Sequence, residues 1–209
     1  MKYTREDINN LNKIFRINLI NSCSGYKSAN LLGSISSDGK TNVAVFSSVT
    51  HLGSNPPTLG FILRPTTVPR NTFKNIKETG IFTINHIFED ILADAHHTSA
   101  KYHENISEFD MTNLETEYKN NCPAPYVKGS PVQLKMKYVE EHLIKTNDVI
   151  HVISEIEELY VNDEILQQDG FIDLAKGKVA AINGLDAYGV AQENTRFSYQ
   201  RPKKIVQEN

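Results

Sequence analysis

The sequence predicts a mainly β fold, a closed or partly closed antiparallel β-barrel carrying a few short helices. Three observations predict it. Asp38-Gly39 lies between two strand-like runs, the strongest local signal in the chain. Apolar residues alternate at Val132, Leu134, Met136 and Tyr138, marking a half-buried strand, and 149–161 supplies a second long one. The helical segments are too few and too short for a regularly alternating parallel sheet, and closure removes exposed strand edges.

Taken in chain order, residues 4–16 read as a short helix, with Thr4 as N-cap, Asp7 at the third position and a stripe of Ile8, Leu11, Ile14 and Phe15. Residues 28–36 and 42–48 pair as a hairpin across Ser37-Asp38-Gly39-Lys40, where Asp-Gly tolerates the positive φ of a tight turn. Asn55-Pro56-Pro57 stops the next segment, and 58–63 is a mostly apolar strand, expected to be buried on both faces. Residues 70–79 form a helix with Phe73 and Ile76 facing inward and Gly80 ending it. A strand over 81–87 and a short helix over 89–97 follow. From Tyr102 to Pro131 the chain is polar and irregular; about 30 residues without a period point to a functional covering loop or partner contacts. The remainder, 163–209, is mixed and ends in a basic stretch with Arg201, Lys203 and Lys204.

A length of 209 residues favours a single domain, with a core over about 20–190 and 191–209 as a C-terminal extension. The formal net charge of −3 removes the broad positive field of a general nucleic-acid binder, and the basic C-terminal run reads as a surface tail. Two cysteines, Cys23 and Cys122, cannot form a disulfide framework, so reduced thiols in a cytoplasmic protein are expected. The N-terminus has no apolar signal-peptide core. The longest run free of Asp, Glu, Lys and Arg, 41–63, contains Asn55, Pro56 and Pro57 and fails as a membrane span.

Chemistry concentrates in few places. From Arg64 to Thr72, two arginines, three hydroxyls and an amide converge on a helix start, whose unpaired N–H groups suit an anion such as phosphate. A solvated loop with a helix cap is the plain alternative. Phe46-Ser47-Ser48-Val49-Thr50-His51, past a strand end, can address a flat heterocycle by its edge, or be an ordinary serine-rich strand end. His96, His97 and His103, with His86 and Glu89 upstream, match no metal-ligand spacing, and no metal is expected. There is no GxGxxG, no phosphate-loop GxxxxGK[ST] and no GxSxG elbow.

The ordered segments SANLLGSISSDGKTNVAVFSSVTHLGSNPPTLGFILRP, PRNTFKNIKETGIFTINHI, HHTSAKY, SEFD and KGSPVQLKMKYVE resemble the flavin reductase-like family of FMN-binding split barrels, over roughly residues 20–190. The resemblance implies a six-stranded antiparallel split barrel and a homodimer with FMN near the subunit interface. It implies that Arg70, Asn71 and Thr72, with Arg64, hold the phosphate, while Phe46, Ser47, Ser48, Val49 and Thr50 hold the ring. Asn85 and His86 match positions near the ribityl chain or ring. Ser99, Ala100 and Lys101 match a segment that closes over the cofactor, and Tyr188 one that approaches the flavin. The family's usual Lys-Asp pair is Arg70-Asn71 here; arginine still serves a phosphate.

The implied activity is transfer of hydride from NADH or NADPH to FMN, and of electrons onward to a small-molecule or protein acceptor. The alternative is a non-enzymatic FMN electron carrier that docks to a protein partner. Hydride transfer obliges no side-chain acid or base, so no catalytic residue is assigned. Backbone N–H groups around Ser48–Thr50, or Lys101, are candidates to stabilise charge growing on the flavin.

Overall fold

The computed structural model describes residues 1–202; Lys203 and Lys204 of the basic stretch lie outside them. The chain opens with helices α1 (Arg5–Asn10) and α2 (Lys13–Ser22). Strands β1 (Lys27–Ser28), β2 (Asn30–Ile35), β3 (Thr41–Phe46), β4 (Thr50–Ser54) and β5 (Pro57–Leu63) follow. Next come α3 (Asn71–Thr79), β6 (Ile81–His86), α4 (Leu92–His97) and the two-residue strands β7 (Thr116–Glu117) and β8 (Tyr126–Val127). The long strands β9 (Val132–Ile144) and β10 (Val149–Val161) precede the short β11 (Ala180–Asn183) and β12 (Ala187–Val190). Among the described residues no helix is long and apolar enough to cross a membrane.

Seven strands form one antiparallel sheet in the order β3-β2-β6-β9-β10-β5-β4. Its two edge strands are joined by only Ser47, Ser48 and Val49. Laid flat, seven strands at ~4.8 Å spacing would hold those edges roughly 29 Å apart, whereas the link spans about 14 Å at most. The sheet therefore curls until its edges approach, which is the barrel. Ser48 fastens the closure: its Oγ accepts from the Ile62 N–H (3.0 Å) and donates to the Ile62 carbonyl (3.1 Å).

Residues on one face of adjacent strands line the interior. Leu32, Ile84 and Leu134 stand in register across β2, β6 and β9 and pack with Phe61, Phe82, Met136 and Val152. The odd-numbered face, with Leu31 and Val43, is covered by Ile87, Phe109, Leu114 and Ile182. Helix α3 lies against the interior-facing positions: Asn42 Nδ2 donates to Thr72 Oγ1 (3.0 Å) and Asn75 Nδ2 to Ser34 Oγ (3.1 Å). Gly80, at φ 73°, ends it in the left-handed conformation.

The structure corrects several expectations. The helix over 4–16 is two helices. Thr4 and Asp7 form the reciprocal cap, but Leu11 is extended and Asn12 starts a second helix, its Oδ1 accepting from the Ile14 N–H (3.0 Å). The stripe is not a core face, since neither helix buries a residue and Ile14 and Phe15 are exposed. In the hairpin turn only Gly39 has positive φ (81°): Gly39 N–H bonds the Ser36 carbonyl (3.0 Å), and the glycine carries the reversal. Residues 41–63 hold three strands where two were expected, because β4 (THLGS) has no apolar alternation to reveal it. Strand β5 is half-buried, with Leu59 and Ile62 partly exposed beside the exposed edge strand β4. The sheet has seven strands where six were expected, and β11 and β12 pair with β1 in a separate three-stranded sheet.

The irregular stretch 102–131 is a packed cover. Cys122, Ala124 and Tyr126 form a buried cluster of their own. Thr83 Oγ1 donates to the Pro125 carbonyl (2.6 Å), and a methyl group on Gly33 would collide with that same carbonyl. Further along, Glu108 seals the open edge of β3. Its Oε2 accepts from the Val43 N–H (3.1 Å), which faces away from the sheet.

Burial pushes the Glu108 carboxyl above its ordinary value. The stability it contributes is therefore fully present below the ordinary carboxylate range and falls as pH rises through the elevated value. Glu108→Ala strands the Val43 N–H and should cost ~1–3 kcal/mol in urea unfolding. Glu108→Gln keeps an acceptor without the charge, and should flatten the pH dependence and retain most of the stability.

Candidate functional site

The Ser48 bonds place the β3–β4 link beside Ile62, two residues before Arg64, so the link and the loop into α3 become neighbours. Arg70 closes that loop on itself, Nε and Nη2 donating to the Pro65 carbonyl at 3.3 and 3.2 Å. Arg70 is also the N-cap of α3, and no side chain caps the helix start. Helices α1 and α2, by contrast, are capped by Thr4 and Asn12. Neither Arg64 nor Arg70 has an ion-pair partner among the described residues, and Arg64 is exposed. Open helix-start N–H groups next to two uncompensated guanidiniums suit a dianion.

A third segment borders the same region. Lys40 Nζ bonds Asn105 Oδ1 (2.5 Å), the Thr41 and Ser107 hydroxyls are 3.0 Å apart, and Lys74 approaches Glu104 at 4.0 Å. The stretch after α4 is thereby drawn along the open edge of β3 and the exposed side of α3. Ser99 and Ala100 continue the last turn of α4, their N–H groups bonding the carbonyls of His96 and His97 (3.0 Å each), and with Lys101 they are exposed. Phe46 packs edge-on against Phe61 with ring centroids 5.2 Å apart. The β3–β4 link thus lies beside the end of β5 that leads to Arg64, while residues 104–108 run along the start of β3 and the side of α3.

Not every expected residue belongs to this region. Asn85 and His86 are consecutive on β6, so they face opposite sides of the sheet and cannot both address one ligand. Asn85 is fully buried: Nδ2 donates to the Leu31 carbonyl (3.2 Å) and Thr83 Oγ1 (3.0 Å), and Oδ1 accepts from the Val127 N–H (3.0 Å). It anchors the 124–127 cover. Ser48 Oγ is engaged with Ile62, and Thr72 Oγ1 with Asn42. Tyr188 lies on β12, its hydroxyl 3.2 Å from His96 Nδ1 and its ring edge-on to that imidazole. His97 pairs with the Tyr102 hydroxyl (2.6 Å), and His103 Nδ1 accepts from the Asn105 N–H (3.3 Å).

Three residues that organise the site had no assigned role. Asn42 orients Thr72, Glu108 seals the β3 edge, and Ser28 Oγ donates to the Val49 carbonyl (2.7 Å). All three lie inside the quoted segments, yet hydrogen bonds to residues 21 to 65 positions away leave no local signal.

His86 has a ring nitrogen sealed without a partner, and burial lowers its pKa to about 4. A lowered value means that the neutral ring is the native form. Its contribution is whole above the ordinary histidine value of 6.5 and is lost as pH falls toward 4, about 3 kcal/mol in total. Chemical denaturation from pH 7 to 4.5 should show this loss in the parent and not in His86→Phe.

Against this geometry, comparison with known proteins gives a consistent answer. A split-barrel protein from Shewanella frigidimarina NCIMB 400 is 45% identical, with a TM-score of 0.92 over 96% of this chain and all of that one. Nitrilotriacetate monooxygenase component B from Bacillus cereus shares the fold at 18% identity and TM-score 0.80, covering 94% of this chain and 98% of its own. Flavoredoxin of Desulfovibrio vulgaris (Miyazaki F) does so at 22% and 0.72, over 84% and 92%. Residues 27–176 match the flavin reductase like domain, and with the curled seven-stranded sheet around them they place this chain in the flavin reductase-like split-barrel family.

Proposed function

We propose that the protein binds FMN and acts as an NAD(P)H-dependent flavin reductase that passes electrons to a small-molecule or protein acceptor. One observation carries the reading: the start of α3 is left uncapped beside Arg64 and Arg70, which have no carboxylate partners among the described residues. The residues fit the cofactor. Arg64, Arg70 and the backbone N–H groups of Asn71 and Thr72 hold a doubly negative phosphate, which the helix end and the guanidiniums both favour. Asn42 fixes Thr72, so the helix start keeps its aim without a capping side chain of its own. Backbone groups of Ser47–Thr50 address the ring edge, since the Ser48 hydroxyl is committed to closing the barrel. The segment Ser99–Lys101, which continues the last turn of α4, covers the ring and excludes water.

Bound FMN supplies the hydride-accepting and electron-releasing chemistry that no side chain here provides. The chain's task is to hold it with one face open to a nicotinamide. A homodimer with the ring near the subunit interface is part of the same reading, and the exposed apolar residues of α2 are consistent with it.

Purified protein should be yellow, absorbing near ~450 nm, and should bleach on anaerobic addition of NADH or NADPH. Colour without bleaching by either nucleotide would leave the carrier function of a flavoredoxin and refute the reductase. Arg70→Ala should weaken FMN retention at least tenfold, about 1.4 kcal/mol. Unchanged retention in equilibrium dialysis would refute this placement of the phosphate.

A further inference from the structure

Asn30 on β2 stands directly across from His86 on β6, so both side chains leave the same face of the sheet. Each ends in a sealed nitrogen without a partner, Nδ2 of Asn30 and Nδ1 of His86. No group among the described residues accepts from the sealed Nδ1, and an N–H sealed there without an acceptor costs more than a bare lone pair. That favours the tautomer with the lone pair on Nδ1 and the proton on Nε2. No side-chain or backbone group among the described residues accepts from Nε2.

The ring forms part of the wall of a cleft of about 230 Å³ between the end of the barrel and the small β1-β11-β12 sheet. Most of the remaining wall is apolar, including Leu174, Ala175, Val179 and Ala181, with Tyr26, Ser28 and Asn194 as its other polar residues. Lys27 also borders it, but its ammonium already donates to the carbonyls of Asn21 and Gly184 (3.0 Å each). A mostly apolar wall with a few placed polar groups is the make-up of a small-molecule pocket. A cavity of roughly 150 Å³ accepts benzene, so this one has room for a ring and a substituent.

We propose that the cleft binds a small uncharged cyclic carbonyl compound, its oxygen accepting a hydrogen bond from Nε2–H of His86. A carboxylate is disfavoured, because the one cation on the wall is already shared between two carbonyls and most of the remaining surface is apolar. The site stands on the β2–β6 register and the cleft, independently of the phosphate loop. It can therefore succeed or fail whether or not flavin is the cofactor.

Titration of the purified, ¹⁵N-histidine-labelled protein with benzamide tests it, read through the His86 ring nitrogens by long-range ¹H–¹⁵N NMR. The proposal expects a saturable shift at Nε2 and weaker binding of benzoate. His86→Phe, which fills the same space without a buried polar atom, should weaken benzamide binding at least fivefold. Ala181→Leu, which narrows the cleft and leaves His86 in place, should do the same. The proposal is overturned by an unshifted His86 at the solubility limit of benzamide, by equal affinity in His86→Phe, or by benzoate binding more tightly than benzamide.

Discussion

The three-residue link between β3 and β4 is the constraint on which the rest depends. It ties together the two strands that would otherwise be farthest apart, so the sheet has no flat alternative. Ser48 turns proximity into attachment by bonding both backbone groups of Ile62, which keeps the end of β5 beside the link. Everything that makes a site then follows from chain continuity. Residue 63 ends a strand, and the residues after it must emerge next to Ser47–Thr50.

Helix α3 shows how the fold leaves one end of an element open while securing the other. Its carboxyl end is finished by Gly80, and its body is held by Asn42 and Asn75 reaching to and from the sheet. With position fixed by these buried bonds, the first turn needs no capping side chain for stability. Its donors remain open to an anion, beside two guanidiniums that have no carboxylate partner among the described residues. The edge of β3 is treated in the opposite way: Glu108 and Ser107 occupy it, and no second strand can add there.

Arg64, Arg70 and the α3 start stand out in the sequence as residue types next to a helix boundary, and the Asp-Gly hairpin through its turn. Asn85 misled because a buried asparagine serving its own backbone looks, in sequence, like one serving a ligand. His86 differs from it by one position and faces the other side of the sheet, a distinction carried by strand phase alone. Strand β4 and the pair β11–β12 escaped because short, polar or mixed segments become strands only when a neighbour supplies hydrogen bonds.

By itself the sequence determined the class of fold, the long β9 and β10, the course of α3 from Arg70 to Gly80 and the basic loop before it. These rest on periodicity, turn chemistry and capping, which act over a few residues. Only the tertiary structure decided which polar groups are spent and which are free. That depends on pairings such as Asn42 with Thr72 and Asn85 with Val127, 30 and 42 positions apart. No local pattern encodes such a pairing, because the cost of leaving a buried donor unmet arises only once the chain has closed around it.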